Sequence, residues 1–291
     1  MAFFICKGGI NLERKAWEKD LPRKQYEQFV KVEQSQSWFE VYDIGYDVYA
    51  IYEPFHFQEV ISFLIKGTDA ALLFDTGAGI GSMKKLANEL WDKELIVVNS
   101  HGHFDHIEGN YEFEMVNILN HPNTIMCLEE GLDAAAYAKE YAPETFSVYS
   151  PVQSIEMVHH RCNYQTFEVG HLFYLGNRHL KVILTPGHTK DSIMLVDEAY
   201  RLLFTGDTLY PATLYSFGEE AIDIYANTMK ELASKYRNYT LVCSHNEPLR
   251  SGVMLEKAAK AFAEIIDESI EAKVTPEGKV YEFNDFNIWL K

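Results

Sequence analysis

The chain has 291 residues, of which 47% are hydrophobic and 24% are charged, a composition typical of globular proteins rather than of disordered or fibrous ones. Its 26 Lys and Arg against 43 Asp and Glu give a formal net charge of −17, which disfavours non-specific binding to nucleic acid or to an anionic membrane, because both need a basic surface. The apolar run at residues 2–6 is too short for a signal-peptide core or a membrane span. We therefore expect a cytoplasmic protein that contacts neither nucleic acid nor membrane.

The four cysteines, Cys6, Cys127, Cys162 and Cys243, lie far apart and form no C-x-x-C motif. This spacing favours neither a redox-active pair nor a cysteine-based zinc site. We expect free thiols in a reducing cytoplasm.

The first half of the chain predicts an antiparallel sheet followed by a strand, a helix and another strand. The predicted β segments cover residues 38–44, 48–52, 60–65 and 70–74, broken by Gly45, Pro54 and Gly67. Apolar residues recur at helical spacing over 82–91, and residues 94–98 return to a strand pattern.

The second half repeats this β-rich pattern. Strands are predicted at 180–184, 193–196, 201–204 and 241–244, and an amphipathic helix at 219–236. Two β-rich halves with helices outside each predict an α/β (α+β) fold: a four-layer αββα sandwich of two mixed β-sheets with helices on both outer faces.

Three segments lie outside this core, and we interpret residues 1–291 as one domain that carries them. An N-terminal extension covers about 1–37, where residues 11–37 are expected to form a helix or arm. An insertion at about 120–165 includes a predicted helix at 128–141 and is expected to lie over the active site. A helix at 252–270 and a β-like piece at 280–290 end the chain.

The segment His101-Gly-His-Phe-Asp-His106 places three histidines and an aspartate in six residues, directly after a predicted strand. On an extended segment, side chains two residues apart point the same way, so His101 and His103 can bind one metal ion. The following turn can bring Asp105 and His106 toward a second ion.

Further ligands must come from elsewhere, because zinc takes more than two protein ligands. His188, Asp207 and His245 each follow the C-terminal end of a predicted strand, where open sheets gather their ligands.

These motifs together resemble the metallo-β-lactamase superfamily of hydrolases. The resemblance covers residues 72–246 and includes the strand and turn at 72–77, Gly-His-Thr at 187–189, Gly-Asp-Thr at 206–208 and Ser-His at 244–245. It implies two Zn²⁺ ions, with iron or manganese as the alternative metals. It assigns His101, His103 and His188 to the first metal, Asp105, His106 and His245 to the second, and Asp207 to a bridge between them.

The resemblance implies a dinuclear zinc hydrolase in which a bridging hydroxide attacks a small ester, thioester, lactone or lactam. Two alternatives remain open: a mononuclear iron sulfur dioxygenase or other oxidoreductase on the same fold, and a phosphodiesterase. A non-catalytic metal-binding protein is a further hypothesis, disfavoured by the complete ligand set. The expected partner is a small-molecule substrate, and a homodimer is left open.

Four further expectations concern individual side chains. Asp105 is expected to ligate a metal, to orient the nucleophile and to accept a proton. Tyr210 or Tyr215 is expected to donate a hydrogen bond to the developing oxyanion. Tyr210 lies three residues after Asp207, the spacing at which some lactonases of the superfamily that the chain resembles place such a tyrosine. The competing interpretation is that Tyr210 packs beneath the loop. Asp75 is expected to hold a ligand loop by hydrogen bonds. Aromatic residues between the first motif and His188 should include some that face the metals: Tyr137, Tyr141, Phe146, Tyr149, Tyr164 and Phe167.

Overall fold

A computed structural model describes residues 14–152, 162–217 and 221–291. Residues 1–13 of the predicted extension, with Cys6, lie outside the described residues, as do 153–161 of the insertion and the first two residues of the helix predicted at 219–236. In these three ranges, no helix combines the length and the apolar character that a membrane crossing needs.

The first half of the chain forms an eight-stranded sheet whose strands lie side by side in sequence order. The strands are β1 (Val30–Val32), β2 (Glu40–Asp43), β3 (Val48–Tyr52), β4 (Ile61–Lys66), β5 (Ala70–Phe74), β6 (Glu94–Val98), β7 (Val116–Leu119) and β8 (Tyr164–Phe167). Neighbours are antiparallel from β1 to β5 and parallel from β5 to β8. Parallel neighbours need crossover connections, and these carry α1 (Met83–Leu90), α2 (Phe104–Ile107), α3 (Pro122–Glu130) and α4 (Ala134–Glu140).

The second half forms a six-stranded sheet and a separate four-stranded sheet. Its elements are β9 (Leu172–Tyr174), β10 (His179–Leu184), β11 (Ile193–Asp197), β12 (Leu202–Phe204), β13 (Thr213–Ser216), α5 (Ala221–Tyr236), β14 (Thr240–Val242), β15 (Leu249–Ser251), α6 (Val253–Ile266), β16 (Lys273–Thr275), β17 (Gly278–Glu282) and β18 (Asn287–Leu290). The six-stranded sheet has the order β15-β14-β12-β11-β10-β9 and the smaller sheet the order β13-β18-β17-β16.

The central strands of the two large sheets are buried on both faces, so β4, β5, β11 and β12 are almost continuously apolar. In β5, Leu72 and Phe74 pack between the sheets, whereas Leu73 points to the outer layer that holds α1. In β12, Phe204 enters the same central layer and Leu203 faces α5 and α6. This alternation produces the predicted four-layer sandwich, and the fold class is confirmed. The four-stranded sheet is an addition that the sequence indicated only as a β-like piece.

The single helix predicted at 128–141 was wrong, since two helices, α3 and α4, occupy this region. Gly131 ends α3 with a left-handed φ of 67°, a conformation that glycine adopts at little cost. Asp133 then begins α4, because its carboxylate accepts hydrogen bonds from the backbone N–H groups of Ala135 and Ala136.

A buried arginine links the two large sheets. Arg178, just before β10, donates from Nε to the carboxylate of Asp197 at 2.6 Å and from Nη1 to the carbonyl oxygens of Tyr46 at 2.8 Å and Lys66 at 3.2 Å. Both charged side chains are almost completely buried, at 1% and 0% exposure. Loss of either partner would leave the other as an uncompensated charge in the core.

We expect Arg178→Met to lower the free energy of unfolding by about 3–5 kcal/mol, the usual cost of leaving a buried charge unpaired. Arg237→Met is the matched control, because it breaks the exposed pair with Glu256 and should cost less than about 1 kcal/mol. Urea denaturation measures both values. Equal losses in the two variants would show that the sheets do not depend on Arg178.

Candidate metal centre

The six-residue histidine motif lies just beyond the C-terminal end of β6. His101 follows the strand after two residues, and His103 has extended backbone angles (φ −76°, ψ 149°) before the single helical turn of α2. Asp105 and His106 lie on that turn. The motif therefore changes from extended to helical between His103 and Asp105, which directs its side chains to two neighbouring positions.

The first position collects three imidazoles. The ligand nitrogens of His101, His103 and His188 all lie within 4.8 Å of one another. Nδ1 of His103 lies 2.9 Å from Nε2 of His188, and Nε2 of His101 is buried without a hydrogen-bond partner among the described residues. An unpartnered buried nitrogen beside two others is costly in a protein interior, and a metal ion would satisfy all three.

The second position collects Asp105, His106, Asp207 and His245, whose ligand atoms also lie within 4.8 Å of one another. Oδ1 of Asp207 is 3.0 Å from Nε2 of His106 and 3.0 Å from Nε2 of His245. Its other oxygen, Oδ2, is 3.5 Å from Nε2 of His188 in the first group. The Asp207 carboxylate therefore lies between the two groups, where the resemblance implied a bridge.

The structure brings together all seven residues expected to bind metal. They come from four strand ends, since His188 follows β10, Asp207 follows β12 and His245 follows β14. Three to four imidazole and carboxylate ligands at each position suit zinc, iron or manganese. The donor set fits two metal ions.

Hydrogen bonds to surrounding groups orient the imidazoles. In each of four rings, Nδ1 bonds to a group outside the two metal-binding groups. His106 donates to Asp75 Oδ2 at 2.8 Å, and His245 donates to the Gln58 carbonyl at 2.7 Å. His188 donates to the Tyr215 carbonyl at 3.2 Å, and His101 shares a bond of 2.9 Å with Ser100 Oγ. Such partners set the tautomer and leave the opposite nitrogen free for a metal.

Asp75 holds the histidine motif at both ends, which confirms its predicted orienting role. Its Oδ2 accepts from His106 Nδ1, and its Oδ1 accepts from the backbone N–H of Ser100 at 2.7 Å. Asp75 has a left-handed φ of 68°, which is uncommon for residues other than glycine, although aspartate adopts it more often than most. The surrounding hydrogen bonds stabilise this backbone conformation next to the site.

Burial dominates the electrostatics of the first group. It lowers the pKa of His103 and of His188 to about 4 in each case, and it also lowers the pKa of His101. These rings are neutral at pH 7, which is the form that binds a metal ion.

Carboxylates dominate the second group. Burial acts to lower the pKa of His106, but the carboxylates of Asp207, Asp105 and Asp75 outweigh it and raise this pKa. Burial likewise acts to raise the pKa of Asp207, and the imidazoles of His106 and His245 hold it well below its usual range.

Tyr210 and Tyr215 both lie beside the metal-binding groups, but among the described residues only the Tyr210 hydroxyl forms a hydrogen bond. The Tyr210 ring packs on His245 with centroids 4.7 Å apart, and its hydroxyl donates to the carbonyl of Thr213 at 2.6 Å. The hydroxyl of Tyr215 makes no hydrogen bond in the described part of the chain. Donation from Tyr210 to a substrate would first require loss of its bond to Thr213.

A cleft of about 610 Å³ opens beside the first metal-binding group. Its lining residues are His103, Asn123, Cys127, Pro186, Gly187, His188, Thr189, Lys190, Phe217, Ala221 and Ile224. Asn123 and Cys127 belong to α3, so the predicted insertion does contribute to a wall beside the site. Phe217 packs edge-on against His103 and His188, with ring centroids 6.0 and 5.9 Å away.

The aromatic residues expected to face the metals are placed mostly elsewhere. Tyr141 and Phe146 are buried in the outer layer beside β4 and β5, and Phe167 is buried between the large sheets. The Tyr137 ring packs on Tyr141, the Tyr164 hydroxyl donates to Glu129, and Tyr149 is 57% exposed. The cleft wall thus takes its aromatic contact from Phe217, which sequence reasoning missed.

Backbone carbonyls at Gln58 and Tyr215 were also missed, although each orients a predicted ligand. No side-chain pattern could have indicated them, because every residue carries a carbonyl and only the tertiary fold selects one. Phe217 carries a weak signal in hindsight, since it follows the tyrosine-containing segment after Asp207.

Comparison with known proteins supports this interpretation of the site. The sequence profile described as "Metallo-beta-lactamase superfamily" matches residues 59–245. The acyl-coenzyme A thioesterase MBLAC2 of Homo sapiens is 25% identical over 193 residues, which cover 61% of this chain and 68% of that protein. A hydroxyacylglutathione hydrolase of Mesorhizobium japonicum is 29% identical over 85 residues, covering 29% of this chain and 33% of that protein.

Solved structures show the same fold at low sequence identity. The DIM-1 metallo-beta-lactamase superposes with a TM-score of 0.56 at 12% identity, covering 80% of this chain and all of that one. The sec-alkyl sulfatase PisA1 superposes with a TM-score of 0.59 at 16% identity, covering 79% of this chain and 42% of that one.

We expect the protein to bind two zinc ions, and Asp75→Asn to weaken zinc binding about 10- to 100-fold, because an amide offers only one oxygen to two donors. Asp191→Asn is the matched control. Asp191 is equally buried and accepts two side-chain hydrogen bonds, from Asn123 and Thr124, rather than from a ligand imidazole. Chelator competition measures the affinities, and equal weakening in both variants would contradict the orienting role of Asp75.

Proposed function

The chain belongs to the metallo-beta-lactamase superfamily, and on that premise we propose that this metal-dependent hydrolase is a dinuclear zinc enzyme that cleaves acyl thioesters. The observation that carries the proposal is the pair of ligand groups with Asp207 between them, beside an open cleft. Thioesters are one of the four substrate classes expected from the sequence, the others being esters, lactones and lactams. The choice of thioesters rests on the thioesterases among the similar proteins and on the character of the cleft.

The protein residues divide the catalytic work. When bound, two metal ions supply Lewis acidity and a hydroxide nucleophile at neutral pH. Asp207 keeps the two positions at a fixed separation, and Asp75, Gln58 and Tyr215 hold the imidazoles in one tautomer each. Asp105 contributes a carboxylate that we expect to orient the nucleophile and to accept a proton.

The cleft offers two kinds of surface to a substrate. Pro186, Phe217 and Ile224 form an apolar wall near the first group, which would take an acyl chain. Lys190 adds a cation to the same cleft, where it would attract an anionic carrier in an otherwise acidic protein. An acyl group on a charged thiol carrier combines both features.

The two alternative activities fit the site less well. A mononuclear iron dioxygenase needs one metal, whereas this chain assembles a complete second group. A phosphodiesterase could use both metals, so the substrate test must include a phosphodiester. We also propose a reducing cytoplasmic location, supported by the free thiols of Cys127, Cys162 and Cys243.

The activity test is a substrate panel run on zinc-loaded protein, with acyl-coenzyme A thioesters of several chain lengths, S-lactoylglutathione, p-nitrophenyl esters, an acyl-homoserine lactone, a chromogenic β-lactam and bis-p-nitrophenyl phosphate. We expect the highest kcat/KM for a thioester, measured by trapping the released thiol. Asp105→Asn should fold normally and lose this activity about 100-fold or more.

Asp92→Asn serves as the control, because Asp92 is exposed at the opposite end of β6 from the motif. Its activity should equal that of the wild type. A phosphodiester as the best substrate, or near-normal kcat in Asp105→Asn, would contradict the proposal.

Tyr215→Phe should lower kcat about 10²- to 10³-fold with unchanged zinc content if Tyr215 donates to the oxyanion, the usual effect of losing one such donor. Tyr210→Phe should have a smaller effect, because the Tyr210 hydroxyl already donates to Thr213. Steady-state kinetics and elemental analysis of both variants decide between the two tyrosines. Unaltered kinetics in both would mean that neither acts as a donor.

A further inference from the structure

The N-terminal arm, residues 14–29, is anchored to the first sheet by aromatic packing. Its second short turn, Lys24–Gln28, buries Tyr26. The Tyr26 ring stacks on Tyr52 of β3, with centroids 4.5 Å apart and planes at 18°, and lies 4.6 Å from the Tyr42 ring of β2. This packing fixes the backbone on either side of Tyr26, and with it the positions from which the neighbouring side chains extend.

Two of these side chains support the loop between β14 and β15, which carries His245: Gln25 bonds to the residue that ends the loop, and Arg23 acts through Glu59. Gln25 makes two hydrogen bonds to the backbone of Leu249: its Nε2 donates to the carbonyl at 2.7 Å, and its Oε1 accepts from the N–H at 2.9 Å. Gln25 thus holds the end of this loop at the start of β15. Arg23 reaches the same loop indirectly, through Glu59.

Glu59 is a buried carboxylate, 1% exposed, that connects the arm to the residue after His245. Arg23 donates to both of its oxygens, from Nε at 2.8 Å and from Nη2 at 2.5 Å. Oε2 of Glu59 also accepts from the Asn246 side chain at 2.9 Å, and its carbonyl accepts from the Asn246 N–H at 3.1 Å. Without Arg23 this carboxylate would be a buried charge with only neutral donors.

The same short segment holds His245 itself. The Gln58 carbonyl accepts from His245 Nδ1 at 2.7 Å, and Val60 forms an isolated β-bridge with His245. Both Glu59 and Asn246 have left-handed backbone angles, with φ of 47° and 63°. Such conformations persist only where surrounding contacts enforce them, and the arm supplies part of those contacts.

We propose that the N-terminal arm acts as a clamp on the His245 loop and sets the affinity of the second group for its metal, with Arg23 and Gln25 as positioning residues. The inference rests on the metal binding in the proposed function but not on the substrate. Asp105 and His106 come from the turn after β6 and Asp207 from the turn after β12, so His245 is the second-group ligand whose loop the arm holds. The effect should therefore be confined to one of the two metals.

The test compares Arg23→Leu and Gln25→Ala with the wild type in the 291-residue chain. Each variant should raise the dissociation constant of one zinc site about 10- to 100-fold, which means weaker binding there. The dissociation constant of the other site should change less than twofold. Chelator competition gives both constants, and the absorption spectrum of cobalt-substituted protein reports the geometry of the weakened site. Arg23→Lys should restore part of the affinity, since it keeps the charge beside Glu59 but not the paired donors.

Arg14→Leu is the matched control. Arg14 belongs to the same arm, but its guanidinium donates to the Leu21 carbonyl at 2.8 Å and lies over the Tyr149 ring. Its zinc constants should match those of the wild type. Wild-type zinc binding in both Arg23→Leu and Gln25→Ala would overturn the proposal, as would an equal loss at both metals.

Two results distinguish this inference from a folding defect in one variant and from failure of the proposed substrate. Gln25→Ala removes a neutral side chain and leaves Glu59 paired, so it decides the matter if Arg23→Leu fails to fold. A wild-type protein that binds two zinc ions but hydrolyses no thioester would refute the proposed substrate, while selective loss of one zinc in the variants would still support the clamp.

Discussion

The structure depends on the burial of the Asp207 carboxylate among three imidazoles, at the place where strand ends from both large sheets meet. Burial of ionisable groups is expensive unless each finds a partner. Asp207 meets this requirement by placing one oxygen toward His106 and His245 and the other toward His188. The approach of these groups fixes how the strand ends must dock, and the hydrogen bonds around them hold each ring in place.

The groups that surround the metal-binding residues meet the same need for buried polar partners. Asp75, Gln58 and Tyr215 each fix one imidazole, and they belong to three different parts of the chain. Glu59 and Arg23 extend the same logic to the surface arm, because a buried carboxylate needs a cation and the arm provides it. The metal-binding groups at the centre are thus linked to the N-terminal arm through residues 58–60, which bond to His245 and Asn246 on one side and to Arg23 on the other.

Much of this arrangement could be predicted from sequence, for identifiable reasons. The ligands fall in short motifs after apolar strands, and strand ends are where sheets gather ligands, so His101 and Asp207 could be placed without coordinates. The central strands β4, β5, β11 and β12 could be predicted because both of their faces are buried and their apolar runs are nearly continuous. Asp75 could be placed because its strand and turn matched the family pattern.

Other features depend on long-range contacts that leave no local trace. The pairing of β13 with β18 joins residues about 70 positions apart, so the third sheet was visible only as one β-like piece. The apolar spacing over 128–141 masked the break at Gly131, because periodicity does not register a left-handed residue. The link between Arg23 and Glu59 joins two charged residues that look solvated in sequence and become partners only after folding.

The distribution of ligands along the chain also orders the events of folding. The eight-stranded sheet supplies His101, His103, Asp105 and His106, and the later half supplies His188, Asp207 and His245. Neither group of ligands is complete within one half, so no high-affinity metal position exists in a chain whose halves have not yet docked. A metal ion bound at either position would join the two halves as a non-covalent cross-link and would resist their separation. Before any metal binds, the two halves are held together by the central apolar layer, by the buried contacts of Arg178 and by the hydrogen bonds around Asp207.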